Sequence, residues 1–91
     1  MPSLRVLSAA DVDRLVPMRD AIEAIRQAFR SLSAGQARVP LRVHLDTSAG
    51  TALWMPAFVE GLGLGVKAVT VFPGNPARGL PTIQAAVLVQ D

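Results

Sequence analysis

Val39-Pro40-Leu41-Arg42-Val43-His44-Leu45-Asp46 is the stretch at which the 91-residue chain changes period. Val39, Leu41, Val43 and Leu45 alternate with Pro40, Arg42, His44 and Asp46, the two-residue repeat of a strand with one half-buried face. Upstream the repeat is helical. Met18, Ile22, Ile25, Phe29 and Leu32 form one continuous apolar stripe, and Arg19, Glu23, Arg26 and Arg30 occupy the other side as a solvated surface. This pattern predicts a helix over Met18–Ser33, with Pro17 in its first turn, Asp20 favourably placed near its start and Gly35 as its end cap. A shorter helix precedes it. Ser8-Ala9-Ala10-Asp11 has the form of a capping box and starts a helix that runs to about Val16.

Downstream, Thr47-Ser48-Ala49-Gly50 is a turn and Thr51–Val59 a second strand. Glu60-Gly61-Leu62-Gly63 turns into a third, Leu64–Phe72, and after the Gly-, Pro- and Asn-rich loop of Pro73–Gly79 comes a fourth, Thr82–Gln90. Two helices followed by four strands in hairpin order define an α+β fold with a largely antiparallel four-stranded sheet. No internal repeat, low-complexity segment or domain boundary interrupts it. Residues 1–91 therefore read as a single domain.

Composition narrows the class further. The hydrophobic share of 51% and mean hydropathy of +0.37 are high for so short a chain and imply apolar surface that a partner covers. The isoelectric point of about 10.5 accompanies a formal charge of only +2, because a chain without Cys or Tyr and with one Lys has few groups that buffer between neutrality and the arginines. The eight arginines are scattered and only four aromatic residues are available to stack on bases, so no nucleic-acid partner is expected. Without Cys, and with one His among scattered carboxylates, no metal is expected either. The N-terminus lacks a basic segment leading into an apolar core, and no apolar run approaches the length of a membrane helix. The expectation is a cytoplasmic protein with no membrane partner.

Two cations fall inside predicted strands, Arg42 and the only lysine, Lys67, which lies in Gly65-Val66-Lys67-Ala68-Val69-Thr70-Val71-Phe72. On one face of one sheet, a guanidinium fork and an ammonium could converge on a single carboxylate. Periodicity by itself favours the plainer reading, in which each reaches solvent independently. Thr82 is, on composition, an ordinary hydroxyl at a strand start. His44, two residues from Arg42, reads as a solvated or hydrogen-bonded surface group. Trp54 fits a core anchor, a pocket wall or an interface residue equally well. Gly61-Leu62-Gly63-Leu64-Gly65 is not a dinucleotide fingerprint, since the third Gly is at the wrong offset, a strand follows, and no βαβ unit surrounds it.

Taken together, Pro40-Leu41-Arg42, Met55-Pro56-Ala57, Gly65-Val66-Lys67, the loop Pro73-Gly74-Asn75 and Gly79-Leu80-Pro81-Thr82 resemble the ornithine cyclodeaminase/mu-crystallin family of nicotinamide-dependent enzymes. The resemblance runs from about Leu7 to Asp91. It implies that Arg42 and Lys67 hold a substrate carboxylate, that Thr82 contacts the nicotinamide end of NAD or NADP, and that the intact protein is an amino-acid or imino-acid oxidoreductase or deaminase acting as a homodimer. The reactions it allows are ornithine cyclisation with ammonia loss, cyclic ketimine reduction and reversible amino-acid dehydrogenation. It also implies a Rossmann domain beyond Asp91, so that residues 1–91 are a partial, substrate-binding and dimerisation region, inactive alone, with the catalytic Asp of the resembling enzymes outside it. The ornithine-specific branch places an acidic residue just before its Met-Pro pair, and Leu53-Trp54 here argue against ornithine itself. A non-catalytic, mu-crystallin-like ligand-binding or dimerisation module is the alternative.

Overall fold

The computed structural model describes residues 3–90; Met1, Pro2 and Asp91, which the 1–91 domain expectation includes, lie outside the described residues. The chain forms two compact units, one running to Arg30 and one beginning at Ser31.

The first unit is helical. Helix α1 (Ala9–Leu15) opens on the capping box: Asp11 N–H donates to Ser8 Oγ at 3.1 Å and Ser8 N–H to Asp11 Oδ2 at 2.9 Å. The Ser8 backbone bond, reinforced by the Ser8 hydroxyl, holds the Asp11 carboxyl below its ordinary range. Helix α2 (Met18–Ser33) has the predicted bounds. Pro17 lies one residue outside it rather than in its first turn, and its carbonyl accepts from Asp20 and Ala21 N–H at 2.9 and 3.0 Å. On the polar side Glu23 accepts from Arg26 at 2.6 Å and from Gln27 at 3.0 Å. The stripe Met18, Ile22, Ile25 and Phe29 is exposed.

The end of α2 lies in the second unit. Gly35 adopts φ 77°, and the bonds Gly35 N–H to Leu32 O (3.2 Å) and Gln36 N–H to Ser31 O (2.9 Å) close a Schellman motif. Gly35 is thus the end cap its position predicted.

The sheet has five strands, not four: β1 (Ala37–Arg38), β2 (Val43–Asp46), β3 (Thr51–Val59), β4 (Gly63–Val71) and β5 (Ile83–Gln90), all antiparallel to their neighbours. The order is β1-β3-β4-β5, and β2 shares with β1 the edge of β3 that faces away from β4. The expected first strand, Val39–Asp46, is therefore shortened to β2, and the two-residue β1 lies upstream of it. Pro40 has no N–H to give a ladder and restricts the residue before it, so Val39–Arg42 pass between β1 and β2 outside any strand. Arg42, expected within a strand, stands one residue before β2.

Register fixes the two faces. Met55 pairs with Lys67 and Lys67 with Val87, while His44 pairs with Leu53, which pairs with Val69; these side chains share one face. Trp54, Val66, Ala68 and Leu88 lie on the other. The β2–β3 turn is tied by Thr47, whose hydroxyl accepts from Ala49 and Gly50 N–H, both at 3.1 Å, and donates to Gly50 O at 2.9 Å. Between β4 and β5 the expected loop contains a single-turn 3-10 helix, Asn75–Arg78.

Candidate functional site

Lys67 occupies the middle of β4 with Met55 and Val87 directly opposite it, and its side chain is exposed. The positions beyond these on the same face are Leu53, Ala57, Val69, Ala85 and Val89, all apolar. Among the described residues the ion pairs are Arg14–Asp11, Arg19–Asp20 and Arg26–Glu23, so neither Lys67 nor Arg42 is engaged by a carboxylate.

The antiparallel pairing Val43↔Trp54, carried one residue back, puts Arg42 at the level of Met55, the partner of Lys67. Arg42 and Lys67 therefore stand two strand spacings apart, about 10 Å between backbones. Both side chains are long enough to meet a ligand lying over Met55. A fork and a point charge at one level, over an apolar floor, suit a carboxylate attached to a small apolar body.

Thr82 is placed elsewhere. It lies one residue before β5, half-buried, with its carbonyl accepting from Phe72 N–H at 2.8 Å. Val87, the partner of Lys67, is five residues further along, about 17 Å at strand rise. The sheet thus joins Arg42 and Lys67 at one level and sets Thr82 at the end of β5. His44 is exposed, and its pairing with Leu53 sets it away from the Lys67 level. Trp54 is 40% exposed on the face opposite Lys67 and so does not line that surface.

Beside Thr82 the 3-10 turn forms a second feature that sequence reasoning missed. Asn75 is buried and its side-chain amide donates to Pro81 O at 3.0 Å, while Asn75 N–H and Leu80 N–H complete the loop through Phe72 O and Asn75 O, both at 3.0 Å. A concavity of about 370 Å³ lies against this loop, lined by Ala49, Phe72, Gly74, Asn75 and Arg78. The signal available in the sequence was the Asn within a Gly- and Pro-rich loop, a residue type that ties its own turn. Among the described residues no group of three or more His, Asp or Glu could hold a metal ion. No helix among them is long and apolar enough to cross a membrane.

A dinucleotide needs a strand, a Gly-rich turn and a helix N-terminus. Gly61 instead lies within the tight connection of the β3–β4 hairpin, and Gly63 and Gly65 are inside β4. The described residues thus do not fit a pyrophosphate.

The sequence pattern of the ornithine cyclodeaminase/mu-crystallin family matches residues 3–91. The Delta(1)-pyrroline-2-carboxylate reductase of Paracoccus denitrificans is 47% identical over 85 residues, 93% of this chain and 26% of the relative. The alanine dehydrogenase of Archaeoglobus fulgidus is 37% identical over 86 residues, 94% of this chain and 26% of its own length. Among solved structures, Thermococcus litoralis Delta(1)-pyrroline-2-carboxylate reductase in complex with NADH and L-proline superposes with a TM-score of 0.86 at 38% identity, over 93% of this chain and 27% of that one. An archaeal alanine dehydrogenase dimer with bound NAD gives the same TM-score at 36% identity, over 93% of this chain and 26% of that one. The chain spans about a quarter of the length of the curated relatives it matches.

Proposed function

Because the chain belongs to the ornithine cyclodeaminase/mu-crystallin family, we propose that it is the carboxylate-holding region of an NAD(P)-dependent oxidoreductase acting on a small amino or imino acid. The observation that carries this reading is the alignment of Arg42 and Lys67 at the level of Met55, with no carboxylate of the described residues engaging either. The reductases and dehydrogenases to which it is similar are oxidoreductases by name, and the two structures hold NADH or NAD.

The chemistry of this region is positioning. The guanidinium and the ammonium fix the substrate carboxylate, orient the α-carbon and offset the cost of desolvating the anion. Met55, Val87 and their apolar neighbours exclude water from the body of the substrate and offer no acid to a distal amine. That favours pyrroline-type imino acids or alanine over ornithine. The nicotinamide, when bound, supplies or accepts the hydride. Thr82 is the residue we assign to the nicotinamide end, and NAD or NADP is the cofactor we assign to the intact protein, in a cytoplasmic homodimer.

L-proline, the small molecule named in the Thermococcus complex, is the probe. Titration followed by calorimetry or NMR is expected to give saturable binding, weakened about tenfold to a hundredfold by Arg42→Ala or Lys67→Ala, as for loss of one charge-assisted bond. Affinity unchanged in both variants removes the carboxylate site.

A further inference from the structure

Between the pairs Arg38↔Phe58 and Val43↔Trp54, β3 contributes three residues, Met55, Pro56 and Ala57, whereas the edge opposite contributes four, Val39–Arg42. One extra residue against an otherwise antiparallel partner is a β-bulge. These four residues pair with nothing in the ladder. Leu41 is 95% exposed and Val39 62%, so the segment is not held by burial of its apolar side chains.

The gap is enforced by chemistry on both sides. Glu60 N–H donates to Gln36 O at 2.9 Å, so Glu60 turns its backbone toward the β1 edge. Alternation makes Phe58, Pro56 and Trp54 do the same, while Met55 and Ala57 face β4. The one β3 residue that would donate to this edge at the centre of the gap is therefore Pro56, which has no N–H. Pro40, in the segment opposite, also has none. A proline at the centre of a nine-residue strand is normally excluded. Here it costs no ladder bond with β4 and leaves the outer edge without a donor.

We propose that Pro40 and Pro56 are positioning residues whose missing N–H groups keep Val39–Arg42 out of the ladder as a one-residue bulge, and that this bulge sets the approach of Arg42 to the carboxylate shared with Lys67. The proposal rests on the role of Arg42 argued above. Bulges beside functional sites commonly re-aim a side chain, and this one ends at the residue that must be aimed. With the segment drawn into a ladder, Arg42 would be bound to the backbone geometry of the edge. Released, it can lean over Met55 toward Lys67.

The test replaces both prolines, Pro40→Val with Pro56→Val, in the full chain, and in a second variant deletes Leu41, which removes the surplus residue and leaves the prolines in place. Expected in the first is a new, exchange-protected N–H at position 56, and in both an unlowered melting temperature. L-proline affinity should fall at least tenfold, to that of Arg42→Ala. Adding Arg42→Ala should then change nothing, while Lys67→Ala still weakens binding further, a split that general loosening of the sheet would not produce. Affinity within twofold of the parent in a variant whose ladder has closed overturns the proposal, as does an unprotected N–H at position 56. If the double variant fails to fold, the deletion decides by the same affinities. Where Arg42→Ala weakens binding and the bulge variants do not, this inference alone fails; where the parent does not bind, or Arg42→Ala has no effect, the carboxylate reading fails and takes this one with it.

Discussion

Gly50 illustrates how a single position constrains the end of the sheet. A Cβ built there would collide with the Val71 carbonyl oxygen and approach Phe72 Cδ1 to 2.9 Å and Phe72 Cα to 3.0 Å. The obstacle is mostly backbone, so no rotamer change relieves it. Gly50→Ala is expected to destabilise the sheet unit by about 1–3 kcal/mol, as for overpacking a tight site, and a lowered denaturation midpoint with an unchanged denaturant slope would register it. Asn75 is the complementary case, since its side-chain amide stitches the 3-10 turn to Pro81, the residue before Thr82. Asn75→Ala leaves a carbonyl without its donor and should cost about 1–3 kcal/mol. In NMR spectra its perturbations should concentrate between Phe72 and Ile83; shifts spread evenly over the sheet would contradict a local stitch. The residue identities on which the proposed site rests were visible as odd cations in apolar surroundings. Their alignment was not, because nothing local to Arg42 or Lys67 states which strand lies between them.

At the scale of elements, α1 depends on a reciprocal cap that titrates. Asp11 is held below its ordinary carboxylate range, first by the Ser8 backbone bond and then by the Ser8 hydroxyl. A group whose folded value is depressed contributes stability above its unfolded value and loses it as pH falls through the folded one. Amide protection in α1 is therefore expected to be complete at neutral pH and to fall only below the normal aspartate range, with Asp11→Asn removing the pH dependence; retention of that dependence in the variant would assign it to another group. Helices α1 and α2 were legible because caps and a stripe at three- and four-residue spacing are local signals. Strands β3, β4 and β5 fell within a residue of expectation for the same reason. The start of the first strand at Val43 and the separate β1 upstream of it escaped, since Val39–Asp46 alternates without a break and only the pairing with β3 reveals the surplus residue.

For the molecule as a whole, the described residues bury one hydrophobic side chain, Ala52, and leave much of the apolar sequence in contact with solvent. Strand β5 is exposed along its length, with Ile83, Val87 and Val89 at 61%, 67% and 71%, and it forms an unpaired edge without charge or proline. Edges of that kind pair with further chain. Sedimentation is expected to show association that grows with concentration; a species that stays monomeric throughout and melts cooperatively would refute it. The α+β class, the order of helices and strands, the caps and the cations in question followed from the sequence alone, because periodicity, capping and turn chemistry act over a few neighbouring residues. Tertiary structure decided the five-stranded pairing, the bulge opposite Pro56, the common level of Arg42 and Lys67 and the distance of Thr82 from both, because register is set across strands far apart in the chain, where one added residue changes every alignment beyond it.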